Sequence, residues 1–289
     1  MTNDESSDHH SSFVICHSSF GLSMVRAIGS KFEQLKRQGQ KAFIPFITAG
    51  DPDLETTIRL VPELERAGSH IIELGVPFSD PVADGPTIQR SSERSLRHGY
   101  RMADYLQAVE RIRRESQVPL VLFSYFNPIM QYGMEDLARH AKSAGVDGIL
   151  VTDMIPEEGS EYCACFDRHG LDTIFLAAPT SGDDRIASIA RCCRGFVYVI
   201  SRTGVTGTRE QLSESIVPTI ERVRRRISLP VAVGFGISRP EQVRAVWNAA
   251  DGAVVGSAIV AEIEKHKDAG DLTSRVAAFC RWLTEGADG

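Results

Sequence analysis

The sequence predicts an α/β protein: a single-domain (β/α)8 TIM barrel with an extra N-terminal helix and a long loop after the second strand. Three observations carry this. Eight short runs rich in Val, Ile and Phe recur from position 42 onward in the 289 residues. Helical patterns separate them, with apolar residues at three- and four-residue spacing, and Gly68, Gly145, Gly170 and Gly195 stand where a helix C-cap glycine belongs. No linker divides the repeats. Strands apolar on both faces that alternate with helices imply a parallel sheet covered by helices. Eight such units over about 220 residues fit a closed barrel; an open doubly wound sheet is the alternative that pattern leaves open.

Residues 1–29 are expected to form a disordered extension, with the barrel domain over 30–289. The opening MTNDESSDHHSSFVICHSSF is rich in Ser and His and repeats HSSF at 10–13 and 17–20. It has no basic start, and FVIC is too short for the apolar core of a signal peptide. Met24, just before the helix-like VRAIGSKFEQLKRQG (25–39), is a candidate start of the native chain. The strand runs follow: AFIPFITAG (42–50), HIIELGVP (70–77), PLVLFSYF (119–126), GILVTD (148–153), DTIFLAA (172–178), FVYVIS (196–201), PVAVGFGI (230–237) and GAVVGSAIV (252–260). Between them lie LETTIRLVPELERAG (54–68), MEDLARHAKSAG (134–145), DDRIASIARCCRG (183–195) and RPEQVRAVWNAA (239–250), all with a helical period. Residues 78–118 interrupt the rhythm. They hold a loop, a helical segment GPTIQRSSERSLRHG (85–99) and a second helix from about Arg101 to Ser116. A loop this long in a compact domain is usually functional or disordered, and this one follows the C-terminal end of strand 2, on the catalytic face of a barrel.

Composition narrows the function. A chain that is 42% hydrophobic and 24% charged is an ordinary soluble globular protein, and a net charge of −6 argues against nucleic acid or an anionic membrane as partner. A local anion site remains open, because helix N-termini bind phosphate through backbone amides. No stretch approaches the roughly 18 consecutive apolar residues of a membrane span. The cysteines (16, 163, 165, 192, 193 and 280) make no CxxC pair and none sits at ligand spacing with a histidine, as in reduced thiols of a cytoplasmic protein. The eight histidines avoid the predicted strand C-terminal ends, so no catalytic or metal-binding histidine and no metal site are assigned.

Two clusters could carry chemistry. Glu73 lies within the strand-2 run, among Ile71, Ile72, Leu74 and Val76. It is either a buried acid paired with a base or a desolvated acid–base group in the barrel mouth. Asp84 and Asp80, on the loop beyond, are each explicable as turn residues before Gly85 and Pro81. What favours chemistry is the pairing of a strand-end acid with an acid on the loop above it, since two carboxylates in different environments can take separate proton tasks. The second cluster is SRTGVTG (201–207), GFG (234–236) and VGSA (255–258), glycine turns at the ends of strands 6, 7 and 8. Glycines after strands 7 and 8, followed by a short helix, are a recurrent phosphate site, and Ser257 would add a hydroxyl. Phe46, Phe123, Leu150 and Tyr198 lie near the same strand ends, as core or as pocket lining; Tyr198 needs a partner for its hydroxyl if buried.

FIPFITAGDP (43–52), ELGVPFSDPVADGP (73–86), SRTGVTG (201–207) and VGFGIS (233–238) together resemble the tryptophan synthase alpha chain, in order and spacing. The similarity spans roughly residues 30 to 285. That resemblance implies a (β/α)8 lyase that cleaves indole-3-glycerol phosphate to indole and glyceraldehyde 3-phosphate. Indole would pass to a PLP-containing beta subunit in an alpha2beta2 assembly, with no cofactor in this chain. On the same basis Glu73 matches the acid–base glutamate, Asp84 the acceptor of the indole N–H proton, and Tyr198 a tyrosine beside the glutamate. Phe46, Phe123 and Leu150 match the indole pocket; Thr206, Gly207, Gly236, Gly256 and Ser257 match the phosphate cradle. Arg202 to Gly207, including Gly204, match a mobile loop, and Asp80, Pro81 and Asn127 the face toward the beta subunit. Two departures stand out: the N-terminal extension has no counterpart, and position 123 is aromatic where an aliphatic residue is common. A stand-alone indole-3-glycerol-phosphate lyase and a non-catalytic partner of a beta subunit are the rival readings. Another phosphate-sugar barrel enzyme is disfavoured, since no lysine stands at a predicted strand end.

Overall fold

A computed structural model describes residues 26–200, 216–234 and 236–287. Eight strands run β1 (Ala42–Thr48), β2 (Ile72–Gly75), β3 (Leu120–Ser124), β4 (Gly148–Val151), β5 (Asp172–Ala177), β6 (Val197–Ile200), β7 (Val231–Gly234) and β8 (Gly252–Val255). All are parallel, each pairs with the next, and β8 pairs with β1, so the sheet is a closed barrel and not an open doubly wound one.

Alternation along the strands sorts the side chains into two layers. Ala42, Ile44, Ile71, Val121, Leu150, Ile174, Phe196, Ala232 and Val254 fill the barrel interior. Phe43, Ile47, Ile72, Leu74, Leu122, Ile149, Val197, Val233 and Val255 pack outward under the helices. This explains runs that are apolar on both faces. Helix α1 (Ala27–Arg37) closes the barrel floor with Ile28, Phe32 and Leu35, which belong to the interior layer. It is the expected extra N-terminal helix, and it starts inside the segment assigned to the extension; residues 1–25 of that segment lie outside the described residues.

The outer helices are α2 (Leu54–Arg66), α3 (Pro86–Leu96), α4 (Met102–Ile112), α5 (Phe126–Tyr132), α6 (Met134–Ala144), α7 (Ser160–Arg168), α8 (Asp183–Cys192), α9 (Ile216–Arg226), α10 (Pro240–Ala249), α11 (Ser257–His266) and α12 (Leu272–Glu285). Gly68, Gly145, Gly170 and Gly195 all have positive φ at or just beyond a helix end, as their sequence positions implied. Two runs read as longer strands contain helix starts. β3 stops at Ser124, where the Phe126 N–H turns to Asp153 Oδ1 at 2.8 Å and opens α5. β8 stops at Val255, and the apolar SAIV belongs to α11. A short apolar run has no periodicity that distinguishes a strand from a buried helix turn.

Candidate active site

The parity of the strands decides where Glu73 points. It follows interior Ile71 by two residues, so it too faces inward, level with Phe46 of β1, its partner in register. Glu73 is 1% exposed, and its Oε1 is buried without a hydrogen-bond partner. Among the described residues no base pairs with it, which favours the desolvated acid–base group over a buried acid paired with a base. Burial alone raises its carboxyl from 4.5 to about 8.

Asp84 hangs from the loop after β2 over the same opening and is half-buried. Desolvation raises it to about 6, and a hydrogen bond with the Tyr125 hydroxyl opposes that rise. Tyr125 precedes α5 at the end of β3 and also accepts the Ala83 N–H at 3.0 Å. Its own hydroxyl is pushed to about 12 by desolvation and then by the Asp84 charge. Tyr125 is a residue the sequence reading passed over. The signal was present: it stands two residues after Phe123 in PLVLFSYF, on the same side of the strand.

Glu73, Asp84, Tyr198, Phe46, Phe123, Gly236, Gly256 and Ser257 come together around one cleft of about 210 Å³, with Ala83, Gly85, Ile88, Gly234, Ile237 and Val254 completing its wall. Phe46 and Phe123 meet edge to face, with ring centroids 5.1 Å apart. Burial and the neighbouring Glu73 raise the Tyr198 hydroxyl well above its ordinary value. That hydroxyl occupies the space a side chain on Gly234 would need: a Cβ there would lie 2.1 Å from Tyr198 Oη. Gly75 likewise leaves room for the Phe46 ring, 2.5 Å from where its Cβ would stand. At the far wall α11 begins at Ser257, no side chain caps it, and its first amides are free to meet an anion.

Leu150 is fully buried in the interior layer, paired in register with Phe123, and is absent from the cleft wall. Asp80 and Pro81 line a separate groove of about 770 Å³ with Phe78, Val82 and Arg97, on the outside of the strand-2 loop. Asn127 is exposed in the first turn of α5, where its Oδ1 accepts from Gln131 Nε2 at 3.1 Å. Arg202, Gly204, Thr206 and Gly207 lie outside the described residues.

A sequence profile of the family described as tryptophan synthase alpha chain matches residues 32–287. The tryptophan synthase alpha chain of Geobacter sulfurreducens is 52% identical over 258 residues, covering 89% of this chain and 97% of the relative. That of Solibacter usitatus is 50% identical over 259 residues, covering 90% and 97%. Among solved structures, the alpha subunit of tryptophan synthase from Legionella pneumophila superimposes with a TM-score of 0.85 at 35% identity, over 91% of this chain and 98% of that one. An open form of tryptophan synthase from M. tuberculosis gives 0.82 at 34% identity, over 91% and 98%. With its profile match across nearly the whole barrel and relatives at half identity, the chain belongs to the tryptophan synthase alpha chain family.

Proposed function

We propose that this cleft carries out the alpha reaction with Glu73 as acid and then base, and Asp84 as the base at the indole nitrogen. The chain is a lyase that cleaves indole-3-glycerol phosphate to indole and glyceraldehyde 3-phosphate. One observation supports the division of labour: the two carboxyls are held apart, at about 8 and about 6. At neutral pH Glu73 therefore holds a proton while Asp84 is ionised.

The steps follow from that difference. Asp84 takes the indole N–H proton as Glu73 delivers its own to ring carbon C3, forming the indolenine tautomer. The Glu73 carboxylate then takes the proton of the glycerol hydroxyl. The bond between ring and glycerol breaks, its electron pair returns to the ring, and Asp84 gives its proton back to nitrogen. Atoms balance without water. Tyr198, kept neutral by burial, stands beside Glu73 with a hydroxyl that can donate to the substrate. Phe46 and Phe123 hold the indole ring, with Leu150 beside Phe123 in the interior layer. Gly236, Gly256 and Ser257 take the phosphate at the start of α11, together with Thr206 and Gly207. Phosphate binding there supplies positioning energy remote from the bond that breaks.

The family implies a beta-subunit partner. Asp80, Pro81 and Asn127 face it in this reading, within an alpha2beta2 assembly in which the beta chain carries PLP and this chain carries no cofactor. Arg202 and Gly204 act at the substrate in this reading, and the chain from α1 onward acts as one barrel domain. Among the described residues no helix is long and apolar enough to cross a membrane, and we place the enzyme in the cytoplasm.

Indole release from indole-3-glycerol phosphate, measured with the chain alone and with added beta chain, tests the reading. Slow release that accelerates strongly with the partner supports it, and release indifferent to the partner overturns the assignment of a beta-dependent enzyme. Glu73→Gln should fold and lower cleavage by about 10²–10⁴-fold; undiminished activity would remove Glu73 from the mechanism.

A further inference from the structure

Helix α3 begins two residues after Asp84, and beyond Ile88 its inward face is made of serines. Its buried residues are Ile88, Ser91, Ser92 and Ser95. Directional polar contacts hold it instead. Ser91 Oγ meets Thr48 Oγ1 at 2.6 Å, and Ser95 Oγ donates to the Ala49 carbonyl at 2.7 Å. Arg94 is the centre of the joint. Its Nε and Nη2 donate to the two oxygens of Asp51 at 2.7 and 2.8 Å, and its Nη1 donates to Glu264 Oε1 at 2.8 Å. Arg90 adds a second fork to Glu264, at 2.9 and 2.7 Å. The Asp51 side chain is 0% exposed and that of Arg94 15%, so this pair is largely shielded from water, while Glu264 and Arg90 stand nearer the surface.

Arg94 and the two carboxylates it connects belong to elements that form three walls of the cleft. Asp51 is on the turn after β1, the strand that carries Phe46. Arg94 is on the helix that follows Asp84. Glu264 is on α11, about two turns or roughly 10 Å beyond Ser257. A planar guanidinium satisfies two carboxylates in one geometry only, which a compact ammonium cannot do.

We propose that Arg94 is a positioning residue of the lyase, setting the Asp84 loop and the Ser257 end of α11 in register with the β1 wall. The proposal rests on the roles assigned above to Asp84 and Ser257. It assigns Glu264 the task of aiming the phosphate end and Arg94 the task of aiming both ends at once.

Steady-state cleavage by Arg94→Lys and Glu264→Gln tests it, each assayed well below its own melting temperature with the folded fraction verified by circular dichroism. Arg111→Gln, which breaks an exposed ion pair with Glu55 on the outer helices, serves as control and should match wild type. Glu264→Gln should raise KM three- to tenfold at nearly constant kcat, as expected when binding shared by ground and transition states is lost. Arg94→Lys should raise KM as much and lower kcat at least tenfold. Wild-type kcat and KM in both variants, with only a lower melting temperature, would make the joint structural and overturn the proposal. If Arg94→Lys does not fold, the KM of Glu264→Gln decides by the same criterion. Glu73→Gln assayed alongside separates the two failures. Full activity there overturns the site reading and the positioning role with it; an inactive Glu73→Gln beside an unimpaired Arg94→Lys overturns the positioning role alone.

Discussion

Glu73 is flanked by apolar neighbours in β2 and leaves one oxygen without a partner, so water removal dominates its titration. Its raised value has a consequence for stability. The folded chain keeps a proton that the unfolded chain releases above about 4.5. The stability this carboxyl contributes is complete below that pH and is lost as pH rises through about 8. Glu73→Gln removes the effect, so its urea midpoint should gain on wild type between pH 5 and 9. A difference between the two that does not change with pH would contradict the buried, unpaired state. Tyr125 provides the matching prediction for Asp84. Its hydroxyl bond lowers the Asp84 carboxyl against the pull of desolvation. Tyr125→Phe should therefore move the acid limb of the kcat profile to higher pH and cost roughly ten- to a hundredfold in kcat, the worth of one hydrogen bond to a charged group. A profile superimposable on wild type would show that Tyr125 does not act on Asp84.

Strand ends do the positioning at the next scale. β2, β6 and β7 bring Glu73, Tyr198 and Gly234 to the same end of the interior, and the tyrosine fits because β7 carries no side chain at 234. Gly234→Ala would place a methyl 2.1 Å from Tyr198 Oη and 2.7 Å from Cζ, both parts of a ring confined by the barrel. Overpacking of this kind costs about 1–3 kcal/mol. It should also displace Tyr198 from Glu73 and lower cleavage by at least roughly tenfold, given how steeply rate depends on placement. Denaturant unfolding and indole release on one preparation measure both effects. Unchanged kinetics in a destabilised variant would mean that the ring position does not matter to the reaction.

Across the whole molecule, stability and chemistry occupy opposite ends of the barrel. At the floor, Phe32 of α1 packs into the interior layer and meets Phe196 with ring centroids 5.7 Å apart. Phe32→Ala should destabilise the fold by about 3–5 kcal/mol, through lost burial and the cavity left behind. Specific activity at low temperature should stay near wild type, because the cleft lies at the other end of the strands. A large loss of kcat in folded Phe32→Ala would show that floor and mouth are coupled.

Much of this was legible in the sequence. Eight runs apolar on both faces, spaced by helix patterns with terminal glycines, determine a parallel sheet under helices, because both faces of each strand must be buried. ELGVPFSDPVADGP singles out a strand end and the loop above it, whose Glu73 and Asp84 the fold brings to one cleft. Three matters were decided only by tertiary structure. The closure of β8 on β1 depends on register between residues about 200 apart, which local pattern does not encode. The ends of β3 and β8 depended on tertiary contacts, since a fully buried strand and a buried helix turn are equally apolar. The unlike states of Glu73 and Asp84 come from the packing around each: a closed interior about one, a tyrosine from the turn after β3 beside the other. The residue types at the site follow from the chain itself; their protonation follows from how much water the folded barrel excludes.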